Sequence, residues 1–204
     1  MGRPRGVEDE VILRAAAQVM GRVGPMGLTL AAVAREVGLV PGTLVQRFGS
    51  KHGLLLALAD QSEKDASLMT GRARQAHASA LAALAALTVE SVAAMATPES
   101  FAHHLAFLCT DLVDPQLYER ALAIHLTQRR GIEELLAEAA DAGELRADTD
   151  AAALARTVQA ALAGAGLTWA LEREGTLEQR LRQELDTALS PHLPTRRSHP
   201  LEES

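Results

Sequence analysis

Aromatic residues are nearly missing from this chain: three Phe, one Tyr and one Trp in 204 residues. This scarcity argues against a site that sandwiches flat multi-ring compounds between side-chain rings, and an aliphatic or acyl ligand suits the composition better. A lone cysteine, Cys109, rules out an internal disulfide and points to a reducing, cytoplasmic setting. Its apolar neighbourhood, FLCT, predicts an inert buried thiol. Long hydrophobic runs are also missing. The longest uncharged stretches, Gln75 to Val89 and Thr157 to Leu171, hold 15 residues each, too few for a membrane span, and MGRPRGVEDE carries charge where a leader needs its apolar core. No membrane partner is expected.

Catalytic and metal signatures are absent in the same way. The chain has no G-x-S-x-G, no P-loop, no dinucleotide fingerprint, no C-x-x-C and no H-x-x-x-H. Seven histidines invite a metal sensor, but the adjacent His103 and His104 would diverge by about 100° around a helix. Neither an enzyme nor a cofactor is expected. β-Branched alternation is missing beyond Gly71, so the expected fold is all-α, with length enough to bury a substantial core.

Against these absences stands one organised stretch, TLAAVAREVGLVPGTLVQRFGSK, from Thr29 to Lys51. Thr29 can cap a helix whose apolar residues Leu30, Val33, Ala34 and Val37 share one face. Gly38 ends that helix, and Pro41 prepares the next. In the second helix, Gly42 to Phe48, Leu44 and Phe48 point inward while Thr43, Gln46 and Arg47 point out. Two helices on a short glycine turn, the second displaying polar groups, is the arrangement that enters a DNA major groove.

With Val33-Ala34, Gly38, Gly42-Thr43-Leu44, Phe48 and Ser50-Lys51 at fixed offsets, this stretch resembles the N-terminal domain of the TetR family of bacterial transcriptional regulators. It departs from the family pattern at Val40, where a small hydroxyl residue is usual, and at Val45, where a phosphate-contacting tyrosine is usual. The resemblance implies a three-helix DNA-binding domain, here placed at residues 1–53, and a helical effector-binding and dimerisation domain, placed at 54–190, with a disordered tail at 191–204. It implies a homodimer that binds a pseudo-palindromic double-stranded DNA operator, most often as a repressor, and is released by a small-molecule effector, here an apolar one.

Charge agrees with a DNA-binding head. Residues 1–53 hold seven of the 20 Lys/Arg and four of the 26 Asp/Glu, a net +3, against −9 for the remainder and −6 overall. A basic head on an acidic body is expected where only the head touches phosphates. Base readout is assigned to Thr43, Gln46 and Arg47, and backbone positioning to Thr29, Gly42 and Lys51, with Pro41 a further DNA-binding candidate. Arg3 and Arg5 form a basic arm for phosphate or minor groove, or else a solvated tail.

Before and after this stretch the pattern stays helical. A first helix over Val7 to Val23, with Val11, Ala15, Val19, Ile12 and Ala16 inward, is stopped by Gly24-Pro25. The spacing of His77, Leu81, Leu84, Thr88, Val92 and Met95 predicts one helix. Thr97-Pro98 and Asp114-Pro115 each start another, the first with Phe101, His104, Leu105 and Leu108 as its face. Thr88, His104, Tyr118, His125 and Gln128 are polar residues on apolar faces and are the candidate ligand contacts. Thr176 with Gln179 fits a capping box before a last helix. The small residues Ala161, Gly164 and Ala165, with the row Leu177, Leu181 and Leu185, are the candidate dimer surface, unless that row packs within the subunit. The other reading of the whole chain is a helical carrier or sensor of a hydrophobic small molecule, which would leave the basic head idle.

Overall fold

Side-chain caps set most of the helix starts in the computed structural model, which describes residues 7–194. Among these the order is α1 (Asp9–Gly27), α2 (Leu30–Glu36), α3 (Pro41–Phe48), α4 (Lys51–Ala76), α5 (Ala80–Glu90), α6 (Pro98–Asp111), α7 (Pro115–Asp141), α8 (Ala151–Glu172) and α9 (Leu177–Leu189), then a 3-10 turn, Ser190–His192. No strand occurs among the described residues. The Thr29 hydroxyl accepts the Ala32 N–H at 3.0 Å and that of Ser50 accepts Gly53 at 3.1 Å, so α2 and α4 each begin on a satisfied donor. Thr97 with Ser100, and Thr176 with Gln179, form reciprocal capping boxes, and Asp114 caps α7.

The head is built from α1, α2, α3 and the first turns of α4. Ile12, Ala16, Val19, Leu28, Val33, Leu44 and Leu54 close into one buried cluster. Each large aliphatic there contributes about 1.5–3 kcal/mol by leaving water. Val11, expected inward, is exposed and Leu13 is buried in its place, because α1 packs against α2, α4 and α6 and its inward face turns to meet all three. α1 also runs past Val23. Its helical path breaks at Gly24 (φ 66°), and Pro25 starts a further turn. The second helix of the motif begins one residue earlier than expected, on Pro41.

In the body, α4 lies along α7, and α5, α7, α8 and α9 enclose a second core that includes Leu84, Leu135, Leu136, Val158 and Leu185. The single helix expected from His77 to Met95 is interrupted. His77 is the C-cap of α4, α5 starts on the Ser79 cap, and the chain turns after Glu90. Val92 and Met95 instead pack around Trp169. The start of α5 is held from a distance: Glu144 accepts N–H groups of Ala80 (2.9 Å) and Leu81 (3.4 Å) and the Ser79 hydroxyl. Residues 191 and 192, placed in the expected tail, are in the 3-10 turn, where Arg146 N–H donates to the His192 carbonyl at 2.8 Å. The Arg3/Arg5 arm and residues 195–204 lie outside the described residues.

α6 joins the two parts. Phe107 is buried in the head core, while Phe101 packs edge-on against Trp169 of α8, with centroids 6.3 Å apart and planes at 89°. The face expected from Phe101, His104, Leu105 and Leu108 is corrected accordingly: Leu105 and Leu108 are exposed, because α6 turns Phe107 and both its histidines towards α1.

Candidate nucleic-acid interface

The turn between α2 and α3 is locked by its own backbone. Leu39 N–H donates to the Ala34 carbonyl at 2.8 Å and Gly38 N–H to Arg35 at 3.3 Å, with Gly38 at φ 68°. This is the pair of bonds that closes a helix through a left-handed glycine, and it aims α3 away from α2. Leu44 anchors α3 in the core. Pro41, Gly42, Val45 and Gln46 are exposed, and Thr43 is half-buried. Gly42 sits in the first turn of α3 without a positive φ, and a Cβ there would meet nothing within 4 Å. Its lack of a side chain therefore has no internal packing reason. A site of close approach to a partner's backbone is the physical use of such a glycine.

Two of the residues assigned to DNA contact are engaged inside the head. Arg47 lies 2.9 Å from Asp9 Oδ1 and donates to the Val7 carbonyl, so it ties α3 to the start of α1. Lys51 donates to the Pro25 carbonyl at 2.5 Å. Arg14 and Arg22 are paired with Glu10 and Glu36. Among the described residues of the head, the exposed Arg35 makes no side-chain hydrogen bond or ion pair. Val40 and Val45, 68% and 51% exposed, sit at the two positions that depart from the family pattern.

Behind this surface is a joint that sequence reading missed. His103 Nδ1 donates to the Gly21 carbonyl at 2.8 Å, and a Cβ on Gly24 would lie 2.8 Å from the His103 ring, so glycine is needed there for space as well as for φ. His52 Nε2 donates to Gln116 Oε1 at 3.1 Å, with Nδ1 3.6 Å from Asp114. Asp111, at the end of α6, is pushed up to about 6, first by burial and then by the charge of Asp114. No local pattern signals the His103–Gly21 and His52–Gln116 contacts, since their partners are far apart in the chain.

The candidate ligand contacts are not brought together. Thr88 is buried with its hydroxyl donating to Leu84 at 2.8 Å, and His104 Nδ1 donates to the Ser100 carbonyl at 2.7 Å beside α1. Tyr118, His125 and Gln128 are exposed. An open groove of about 630 Å³ lies between α4 and α7, lined by Glu63, Lys64, Ser67, Leu68, Thr127 and Arg130, none of them among the expected contacts. Cys109, expected to be buried, is exposed.

The dimer surface is corrected too. Ala165, Leu177, Leu181 and Leu185 are buried within the subunit, and Gly166 faces the Phe101 ring. The row steps by four, and α8 and α5 already cover it. Ala161 is half-buried, whereas Gly164 is exposed with open space above it. The outward face of α8 carries Ala160, Ala163, Gly164, Leu167 and Leu171.

A capped helix-turn-helix, with a bracing helix before it and a helical body behind it, defines a DNA-binding helix-turn-helix protein. The family model for bacterial regulatory proteins of the tetR family matches residues 12–58, and that for the tetracyclin repressor-like C-terminal domain matches 110–185, together more than half of the chain. The chain belongs to the TetR family of bacterial transcriptional regulators, whose members are not enzymes. Solved structures share the fold. A Saccharomonospora viridis protein assigned as a transcriptional regulator, in complex with choline, is 21% identical over 92% of this chain and 98% of its own, with a TM-score of 0.73. SmeT, the repressor of the Stenotrophomonas maltophilia multidrug efflux pump SmeDEF, is 20% identical over 93% and 92% (TM-score 0.63). The fatty acid degradation regulator FadR of Bacillus halodurans is 16% identical over 89% and 98% (TM-score 0.64). No curated protein matches the chain in sequence. Among the described residues no helix is long and apolar enough to cross a membrane.

Proposed function

We propose that this regulator is a repressor that binds a pseudo-palindromic operator as a homodimer and is released by a small apolar effector. The observation that carries the DNA contact is the outward face of α3, where Gly42 is open and Gln46 is exposed beside it. Thr43 and Gln46 meet base edges, while Thr29, Gly42 and Lys51 position the head on the phosphates. Arg47 is assigned to holding α1, since its guanidinium is already bonded there.

Pairing of subunits through the outward face of α8 would set the spacing of two α3 helices. Small residues at Ala160, Ala163 and Gly164 allow close approach, and Leu167 and Leu171 supply apolar area. For the effector, the exposed apolar residues Leu105, Leu108 and Leu112 of α6 and its following turn, with Tyr118 and Leu122 of α7, are the supporting surface. A ligand held there reaches the head through α6, because Phe107 is seated in the head core and His103 bonds to Gly21. Choline bound to one structural relative and fatty acid degradation regulated by another suggest quaternary ammonium and acyl compounds as a first panel. Five aromatic side chains, two of them paired in the core, leave little for an aromatic cage, which favours the acyl class.

The test is binding of the full-length protein to its own upstream DNA and to random duplex across a salt series. Upstream-specific binding with a steep salt slope is expected, and its loss on adding an acyl ligand would establish release. A folded, ligand-free dimer that binds no duplex at low salt would overturn the reading in favour of a carrier.

A further inference from the structure

Thr43 and Gln46 leave the outward face of α3 underdetermined, because a hydroxyl bonds donors and acceptors of any base and a single amide can mark only one base pair. The geometry points to Val45 as a further base-reading residue beside Thr43 and Gln46, set against the 5-methyl group of a thymine, so that the core of each operator half-site is A·T-rich. This rests on the reading of the chain as an operator-binding protein. Val45 follows Gly42 by three positions and precedes Gln46, so all three share the exposed side of a helix whose other side is fixed by Leu44. At 51% exposure its branched side chain is covered by nothing within the subunit to the extent that Leu44 is. A valine is a poor choice for a solvated helix position, where straight-chain residues are better helix formers.

The chemistry of the groove then decides between bases. Guanine presents two acceptors, O6 and N7, which Arg or Lys reads best, but Arg47 is held by Asp9 and the Val7 carbonyl. Pro41, Gly42 and Val45 bring no side-chain donor to that face. Adenine is matched by the paired donor and acceptor of Gln46, and thymine alone among the four bases carries a methyl group in the major groove. An apolar side chain next to an amide therefore fits neighbouring A·T pairs, whereas a guanine would find only the neutral donors of Gln46 and Thr43 and no cationic pair of donors for O6 and N7.

The experiment first selects duplexes from a random pool with the full-length protein. Each thymine of the selected half-site is then replaced by deoxyuridine, which removes only the methyl group. One replacement is expected to weaken binding about fourfold, the effect of exposing one buried methyl. Val45→Ala should bind the thymine and deoxyuridine duplexes equally, while Gln46→Ala keeps the fourfold ratio. Val45→Ala should melt no lower than the parent, since alanine is the better helix former. A selected half-site with a G·C core, no thymine whose methyl matters, or an undiminished ratio in Val45→Ala would overturn the assignment and leave operator binding intact. A pool in which no duplex is enriched would instead sink operator binding itself.

Discussion

Arg47 of α3 closes on Asp9 of α1, Nη1 to Oδ1 at 2.9 Å, and the same group donates to the Val7 carbonyl. A cation on the helix proposed to face DNA is thereby partly neutralised by the protein itself. Replacing Asp9 by Asn should free Arg47 for phosphate. Binding to random duplex at low salt should strengthen several-fold and the salt slope steepen by about one, read by fluorescence anisotropy. Stability should fall by no more than about 1 kcal/mol, the usual worth of an exposed pair. An unchanged slope would mean that Arg47 stays on the Val7 carbonyl unaided.

Lys51 tests the opposite case. Its ammonium reaches the Pro25 carbonyl at 2.5 Å, yet a lysine in the first turn of α4 opposes the helix dipole unless an anion is near. Lys51→Ala should weaken binding to specific and random duplexes alike and reduce the salt slope by about one, whereas Gln46→Ala should change sequence preference and leave the slope alone. Equal losses on both duplexes for both variants would contradict that division.

Gly164 separates subunit pairing from subunit folding. Nothing lies within 4 Å of a Cβ there, so Gly164→Leu should fold as well as the parent and gain about 1 kcal/mol of helix propensity. It should nonetheless weaken the dimer at least tenfold in sedimentation experiments. Leu181→Ala, in the buried row, should instead cost about 2–5 kcal/mol of unfolding free energy. A Gly164→Leu dimer as tight as the parent would move the interface elsewhere.

Glu144 acts as a cap from another part of the chain. Burial pulls its carboxyl upward, but the hydrogen bonds from Ser79, Ala80 and Leu81 outweigh that and hold it below its ordinary 4.5. A depressed carboxyl stabilises the fold fully above the unfolded value and loses that contribution as pH falls below it. Glu144→Ala should therefore cost about 0.5–2 kcal/mol in denaturant at pH 7, by analogy with loss of an N-cap, and progressively less below pH 4. A cost independent of pH would assign the effect to packing.

Asp111 has the reverse sign. Raised from 3.8 to about 6, its carboxyl binds a proton more tightly in the folded chain than in the unfolded one. Stability should fall as pH rises through that interval, and the penalty remains above it. Asp111→Asn should raise the melting temperature by a few degrees at pH 7.5 and leave it nearly unchanged at pH 4. The same shift at both pH values would show that charge is not the cause.

Helix starts were legible because a cap is a local device: the hydroxyl of Thr29, Thr97 or Thr176 bonds an N–H three residues away, so pattern and geometry report the same thing. The break after His77 was harder to see. Apolar spacing runs through it, and the carboxylate that secures the start of α5 lies 64 residues from Ala80. The leucine row of α9 was legible as a buried face, but periodicity alone does not say which surface covers it. Nor could it show that Phe107 belongs to the head.

The residues alone determined an all-α chain, its helix-turn-helix, the polarity of its head and the family it belongs to, since each rests on spacings within one or two turns of helix. Only the tertiary structure decided that Arg47 is tied to α1, that Leu177, Leu181 and Leu185 face inward, and that α6 is the link from body to head. Those outcomes depend on which surfaces meet, and a helix of fixed sequence can bury the same face against its own subunit or against another. The choice is made by packing across the whole chain, where distant side chains compete for the same apolar surface and the same hydrogen-bond partners.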